Sequence, residues 1–75
     1  MNIVILGAGT VGTSIARVLC ARHHNVFIID KSRSALAEVE DRLDVHTVRG
    51  NASDPITLFQ AGIASATLCL ALTSS

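Results

Sequence analysis

The apolar residues of this chain cluster in four short runs that are separated by polar segments. The runs cover residues 3–6 (IVIL), 26–29 (VFII), 45–48 (VHTV) and 66–72 (ATLCLAL). Short continuous apolar runs are typical of strands that are buried on both faces, as in parallel sheets. We therefore predict four strands, of which the third is the weakest.

The segments between these runs show the spacing of amphipathic helices. Apolar residues at positions 11, 15, 18 and 19 predict a first helix over about residues 10–22. Ser32 is a good N-cap for a second helix, whose apolar positions are 35, 36, 39 and 43. Asp54 and Pro55 begin a third helix as its cap and its first helical residue, and Gly62 ends it.

The elements alternate along the chain, so that each helix connects two strands. This alternation implies right-handed βαβ crossovers, which build a parallel sheet covered by helices on both faces. The predicted fold class is therefore α/β, with βαβαβαβ topology. At 75 residues, the chain is one domain or part of one.

A glycine-rich segment joins the first strand to the first helix. Its residues are Gly7, Ala8, Gly9, Thr10, Val11 and Gly12. A strand, GxGxxG and a helix in this order form the dinucleotide-binding fingerprint of Rossmann-like folds. The first glycine permits a tight turn, the second lets a pyrophosphate approach the backbone, and the third lets the helix pack closely. The N–H groups at the start of the helix would then face the phosphates.

Asp30 forms the second half of this fingerprint. It lies at the end of the second predicted strand, 18 residues after Gly12. A carboxylate at this position can accept hydrogen bonds from both ribose hydroxyls of an adenosine and would repel a 2′-phosphate. Lys31 and Arg33 could soften that repulsion, but the strand-end position of Asp30 favours NAD over NADP.

The composition and charge of the chain argue against some classes of function. The chain is 49% hydrophobic and 16% charged, and its six basic residues balance its six acidic ones. This balance predicts no nucleic-acid partner and no attraction to an anionic membrane. No apolar run has the length of a membrane span, so we expect no direct membrane insertion. Cys20 and Cys69 lie far apart within apolar runs and are interpreted as buried free thiols.

The whole chain resembles the N-terminal nucleotide-binding domain of the TrkA/KtrA family, also called the RCK or KTN domain. The matching segments are ILGAGTVG at 5–12, VFIID at 26–30, LDVHTVRGNASDPITLFQAGI at 43–63 and ATLCLALTSS at 66–75. The third segment is the discriminating one, because many dehydrogenases share the pattern of the first thirty residues.

The resemblance implies a cytoplasmic regulatory module of a potassium channel or transporter, peripheral to the inner face of the membrane through that partner. Such modules bind NAD(H) or ATP/ADP without consuming it, and they form oligomers. The resemblance places adenine against Gly50, Asn51 and Ala52 and the middle of the nucleotide against Thr73, with Ser74 nearby. Together with the glycine segment, Asp30 and Lys31, these residues form the predicted cofactor site.

The family domain continues with further strands and helices, so we interpret residues 1–75 as a partial domain, either an engineered fragment or a truncated product. The expected strand order is 3-2-1-4, which leaves the fourth strand at an edge although it reads as a central strand. An exposed apolar edge invites pairing with another chain. We therefore expect self-association through residues 66–72, or marginal stability.

The histidines do not suggest an enzyme. His23 and His24 are expected in a turn at the amino end of the strands, away from the crevice, and His46 is expected as a packed or an edge residue of the third strand. No His, Cys and Asp set has metal-ligand spacing. We therefore predict a sensor without catalytic residues. The alternative is the cofactor-binding fragment of an NAD-dependent oxidoreductase, whose catalytic domain would follow residue 75.

Overall fold

The computed structural model describes residues 1–71, and these form an α/β fold. The strands and helices alternate as the hydrophobic pattern predicts. Their bounds are β1 (Asn2–Leu6), α1 (Thr10–Ala21), β2 (Asn25–Asp30), α2 (Arg33–Arg42), β3 (His46–Arg49), α3 (Pro55–Gln60), a 3₁₀ turn (Ile63–Ser65) and β4 (Leu68–Ala71).

The four strands form one parallel sheet in the order β3-β2-β1-β4, which confirms the predicted Rossmann-like topology. In the register, Ile3 of β1 lies beside Val26 of β2 and Leu68 of β4. Asp30 of β2 lies beside Arg49 of β3. The carboxyl ends of all four strands therefore meet at the same edge of the sheet.

Alternate residues of β1 and β2 enter two separate cores. Ile3 and Ile5, each at most 1% exposed, face α1 and α2. Val4 and Ile29, both 0% exposed, face the other layer, where Leu58 of α3 packs against them. Burial of each such side chain contributes about 1.5–3 kcal/mol, so the two central strands carry most of the hydrophobic stabilisation.

The ends of α2 and α3 are formed as the sequence predicts. The Ser32 hydroxyl accepts a hydrogen bond from the Ala35 N–H at 3.2 Å. The Asp54 carboxylate accepts one from the Ile56 N–H at 3.1 Å, and Pro55 follows as the first helical residue. Gly62 follows the end of α3 with a left-handed φ of 77°, which glycine adopts at little cost.

The predicted apolar face of α1 is partly wrong. Val11 and Val18 are 62% and 55% exposed, whereas Ala16 is fully buried. The reason is the close approach of the helix to the sheet, which requires small residues at Gly12 and Ala16. With these two against the strands, Val11 and Val18 lie to one side of the contact.

Two strand boundaries also differ from the prediction. β3 covers His46–Arg49 rather than 45–48. The described part of β4 begins at Leu68 rather than at 66, because the Ala66 N–H donates to the Ile63 carbonyl within the preceding turn. Leu72, the last residue of the predicted strand, lies outside the described residues.

The β4 edge is exposed, as the strand order predicts. Leu68 is 42% exposed, and Cys69 is exposed as well, so the expectation that both cysteines are buried is wrong for Cys69. A strand at the rim of a sheet is covered on fewer sides than a central strand, which explains the difference. Self-association through this edge stays a prediction.

Candidate nucleotide-binding site

The glycine segment turns sharply where β1 ends. Gly7 has a φ of 121°, which side chains disfavour, and its N–H donates to the Ile29 carbonyl at 2.8 Å. A Cβ on Gly12 would lie 2.4 Å from the Gly7 carbonyl oxygen. The first and third glycines therefore serve the turn and the close packing that the fingerprint assigns to them.

Gly9 is the N-cap residue of α1, and no side chain caps the helix there. The first intrahelical bond runs from the Thr13 N–H to the Gly9 carbonyl at 2.9 Å. The N–H groups of the residues before Thr13 in the first turn have no hydrogen-bond acceptor within the helix. Thr10 and Val11 in this turn are exposed, so this end of the helix dipole is open to an anion.

The Asp30 carboxylate joins this loop to the start of α2. One oxygen, Oδ2, accepts the Ala8 N–H, and the other, Oδ1, accepts the Ser32 N–H, both at 2.8 Å. Two hydrogen bonds from backbone groups hold the carboxylate in one orientation. Each carboxylate oxygen has more than one lone pair, so Asp30 can still accept bonds from a ribose.

The loop after β3 lies against the same strand end. The Gly50 N–H donates to the Asp30 carbonyl at 3.0 Å. Asn51 is exposed, and its side-chain oxygen accepts bonds from the Ser53 N–H at 2.9 Å and the Ser53 hydroxyl at 2.7 Å. Ala52 is half-buried and packs against the core under α3. The loop is thus ordered by its own hydrogen bonds and by α3.

The predicted site residues come from four segments of the chain, and three of these segments converge at the carboxyl edge of the sheet. These are the glycine segment, the β2–α2 connection with Asp30 and Lys31, and the loop with Asn51 and Ala52. Lys31 is exposed, and its carbonyl accepts a hydrogen bond from Arg49 Nε at 3.3 Å. Thr73 and Ser74 lie outside the described residues, so their assignment stays a prediction.

Two contributors to this site were missed by the sequence analysis. The Thr13 hydroxyl donates to the Ala8 carbonyl at 3.4 Å and so supports the glycine loop from within α1. Arg49 spans from β3 to the β2–α2 connection. A polar residue just after the third glycine could have signalled the first contact. The second joins residues 18 apart in sequence and has no local signal.

The histidines lie where the sequence predicts. His23 and His24 are in the turn between α1 and β2, at the amino edge of the sheet. His46 stacks on Phe27, with ring centroids 4.7 Å apart. Within residues 1–71, no three His, Cys, Asp or Glu side chains are grouped to hold a metal ion. None of the helices in that range has the length and apolar character of a membrane span.

The profile of the TrkA-N domain matches residues 3–75, nearly the whole chain. The chain belongs to the TrkA-N domain family. The glycine turn, the Asp30 carboxylate and the 3-2-1-4 sheet are thus features of a TrkA-N domain, and the resemblance seen in the sequence is confirmed.

Curated relatives agree with this assignment. A Trk system potassium uptake protein TrkA from Vibrio alginolyticus is 37% identical over 75 residues, which is all of this chain and 16% of that protein. TrkA homologs from Archaeoglobus fulgidus and Pyrococcus horikoshii are 43% identical over 75 residues and 38% identical over 73 residues. The match to the Archaeoglobus protein covers 100% of this chain and 17% of that protein. The match to the Pyrococcus protein covers 97% of this chain and 32% of that protein. This TrkA-N domain thus spans about a sixth to a third of those relatives.

Proposed function

We propose that this chain is the nucleotide-sensing part of a potassium-transport regulator, which binds NAD(H), or alternatively ATP or ADP, without transforming it. The observation that carries the proposal is the hydrogen bond from the Ala8 N–H to the Asp30 carboxylate. This bond ties the loop that would hold the phosphates to the side chain that would hold the ribose. Movement of one would therefore move the other.

The phosphates would lie at the start of α1. There the helix presents unpaired N–H groups and a partial positive charge, and Gly9 offers no side chain that could block a pyrophosphate. The ribose hydroxyls would donate to Asp30. Adenine would lie beside Asn51 and Ala52, and Thr73 would contact the middle of the nucleotide, as the family resemblance implies.

A binding role without catalysis is supported by the location of the histidines. A general acid or base must come within hydrogen-bond reach of the reacting group. His23 and His24 are at the opposite edge of the sheet from Asp30, and His46 is stacked on Phe27. The names of the relatives also favour a regulator of potassium uptake over the cofactor-binding fragment of an oxidoreductase.

The partner would be the membrane subunit of a potassium channel or transporter, which the regulator would contact from the cytoplasmic side. The Trk system named in the relatives supports this partner. Nucleotide binding would shift the geometry of an oligomer of the regulator. The exposed β4 edge offers one surface through which copies could associate.

The test is calorimetric titration with NADH, NADPH, ATP and ADP of the wild-type chain and of Asp30→Asn and Asp30→Ala. Loss of a hydrogen bond to a charged group costs about 1.5–3 kcal/mol, so Asp30→Ala should weaken binding by about tenfold or more. The matched control is Asp41→Ala, which removes an exposed carboxylate from α2 and should leave affinity unchanged.

Circular dichroism of each variant separates lost binding from lost folding, because Asp30 also bonds two backbone N–H groups. Recovery of unchanged nucleotide after incubation tests the absence of chemistry. Folded wild-type protein that binds none of the four nucleotides would contradict the proposal, as would equal binding by wild type and Asp30→Ala.

A further inference from the structure

Cationic side chains gather beside Asp30, at the corner between β2, α2 and the end of β3. Lys31 directly follows Asp30, and Arg33 begins α2. Arg49 lies opposite Asp30 in the strand register. Lys31 and Arg33 are close to Asp30 in sequence, whereas the fold brings a third cation, Arg49, from β3 to the same corner.

Arg49 is held over this corner. Its Nε donates to the Lys31 carbonyl at 3.3 Å, which brings the guanidinium to the residue after Asp30. Arg33 and Arg49 also line one cavity of about 270 Å³. The two arginines, from two different elements, therefore line one cavity between α2 and β3, and Arg49 lies beside Asp30 in the strand register.

Nearby carboxylates do not neutralise this pair of arginines. Glu40 lines the same cavity and accepts a hydrogen bond from the Thr47 hydroxyl. The ion pair described within residues 1–71 joins Arg42 to Glu38 at 3.6 Å and leaves out Arg33 and Arg49. Two cationic groups are thus free to bind an anion.

Asp30 is a weaker barrier to an anion than its charge alone suggests. Both of its oxygens accept backbone N–H groups, those of Ala8 and Ser32. These donors offset part of the negative potential and hold the carboxylate toward the glycine loop. With Glu40 of the shared cavity counted beside Asp30, the local balance is two carboxylates against the three cations of the corner.

We propose that this corner binds the 2′-phosphate of NADPH, so that the site takes NADPH about as well as NADH despite Asp30. This inference rests on the proposed function, because it requires the ribose to lie at Asp30. The 2′-oxygen of a ribose held there points to the residues that follow the second strand. A guanidinium recognises phosphate through two parallel hydrogen bonds, and the 2′-phosphate carries more than one negative charge.

The experiment titrates the wild-type chain with NADH and NADPH and compares the two dissociation constants. The expected constants differ by less than about tenfold, and the NADPH constant rises more steeply with salt, because the extra contacts are ionic. Arg49→Gln and Arg33→Gln should each weaken the binding of NADPH by about tenfold and the binding of NADH by less than about twofold. Arg22→Gln, which removes an exposed cation at the amino edge of the sheet, is the matched control and should change neither.

Arg49→Lys separates charge from loop support, because lysine keeps the charge and loses the Nε bond to the Lys31 carbonyl. It should retain more of the NADPH affinity than Arg49→Gln does. Tight NADH binding with NADPH weaker by about a hundredfold or more would overturn this inference and leave the proposed function standing. Equal losses for both nucleotides in Arg49→Gln and Arg33→Gln would also overturn it. Binding of neither nucleotide by folded wild type would overturn both proposals.

Discussion

Replacement of Gly50 is predicted to destabilise the fold, because an added Cβ would lie too close to Thr57 of α3. A Cβ built on Gly50 would lie 2.6 Å from Thr57 Oγ1 and 2.9 Å from Thr57 Cγ2. Thr57 is only 5% exposed, and its hydroxyl donates to the Asp54 carboxylate at 3.3 Å. The threonine therefore has little room to move away from an added methyl group.

The magnitude follows from two opposing effects. Overpacking of a buried contact costs about 1–3 kcal/mol. Replacement of glycine by alanine returns about 0.4–1 kcal/mol by restricting the unfolded chain. Gly50 does not have a left-handed φ, so backbone strain adds nothing. Gly50→Ala should therefore destabilise the fold by roughly 1.3 kcal/mol, the difference between the midpoints of those ranges.

A double-mutant cycle isolates this contact. Thr57→Ala removes both close atoms and leaves Cβ, 3.3 Å from the added methyl. It should cost about 1–2 kcal/mol alone, through the lost hydrogen bond and buried methyl group. Gly50→Ala combined with Thr57→Ala should be more stable than the sum of the single effects by about 1–2 kcal/mol.

The assay is urea unfolding followed by circular dichroism. Thr57→Val is the matched control, because it loses the hydroxyl and keeps the branched shape. Gly50→Ala should therefore destabilise the Thr57→Val background nearly as much as the wild type. Additive effects of Gly50→Ala and Thr57→Ala would show that Thr57 does not cause the destabilisation. A Gly50→Ala variant as stable as the wild type would show that the added Cβ is accommodated without cost.

Three further predictions concern the rest of the fold. His23 has a left-handed φ of 64° at the end of α1, where glycine is favoured. Urea unfolding should therefore show that His23→Gly is more stable than the wild type by about 1 kcal/mol and that His24→Gly is less stable. The opposite order of stabilities would contradict the left-handed conformation of His23. Burial, and secondarily the charge of Asp44, raise the pKa of the Cys20 thiol. A maleimide should therefore label the exposed Cys69 before Cys20, as followed by mass spectrometry. Faster labelling of Cys20 would argue against its burial. Light scattering should show concentration-dependent association that Leu68→Lys reduces, whereas a stable monomer at high concentration would rule out pairing through β4.

The sign of the Cys20 effect also predicts a pH dependence. The pKa of this thiol is raised in the folded state, so the fold favours the neutral form. The stabilisation is complete below the unfolded pKa and is lost as pH rises through the folded value. Stability should therefore fall on the alkaline side, and Cys20→Ser should reduce this fall.

The sequence was sufficient for the features that depend on local patterns. The four strands, the caps Ser32 and Asp54, and the turn at Gly7 all follow from residue type and spacing. The strand order follows from the topology expected for this fingerprint. These signals lie within a few residues of the feature that they predict.

The remaining features depend on contacts between distant segments. The bond from Ala8 to Asp30 joins residues 22 apart, and the requirement for Gly50 comes from Thr57 on another element. The exposure of Val11 and Val18 depends on how α1 rotates over the sheet. Ile56 and Phe59 are likewise 67% and 76% exposed, although they read as apolar helix positions.

The proposed nucleotide site is tested most directly by locating where a nucleotide binds on this chain. Amide chemical shifts of ¹⁵N-labelled protein, recorded with and without NADH, report that location residue by residue. We expect the largest changes at Gly9, Thr10 and Gly12 and in the loop with Ala52, with little change at His24. Changes concentrated near His24, or no localised change at saturating NADH, would contradict the proposed site.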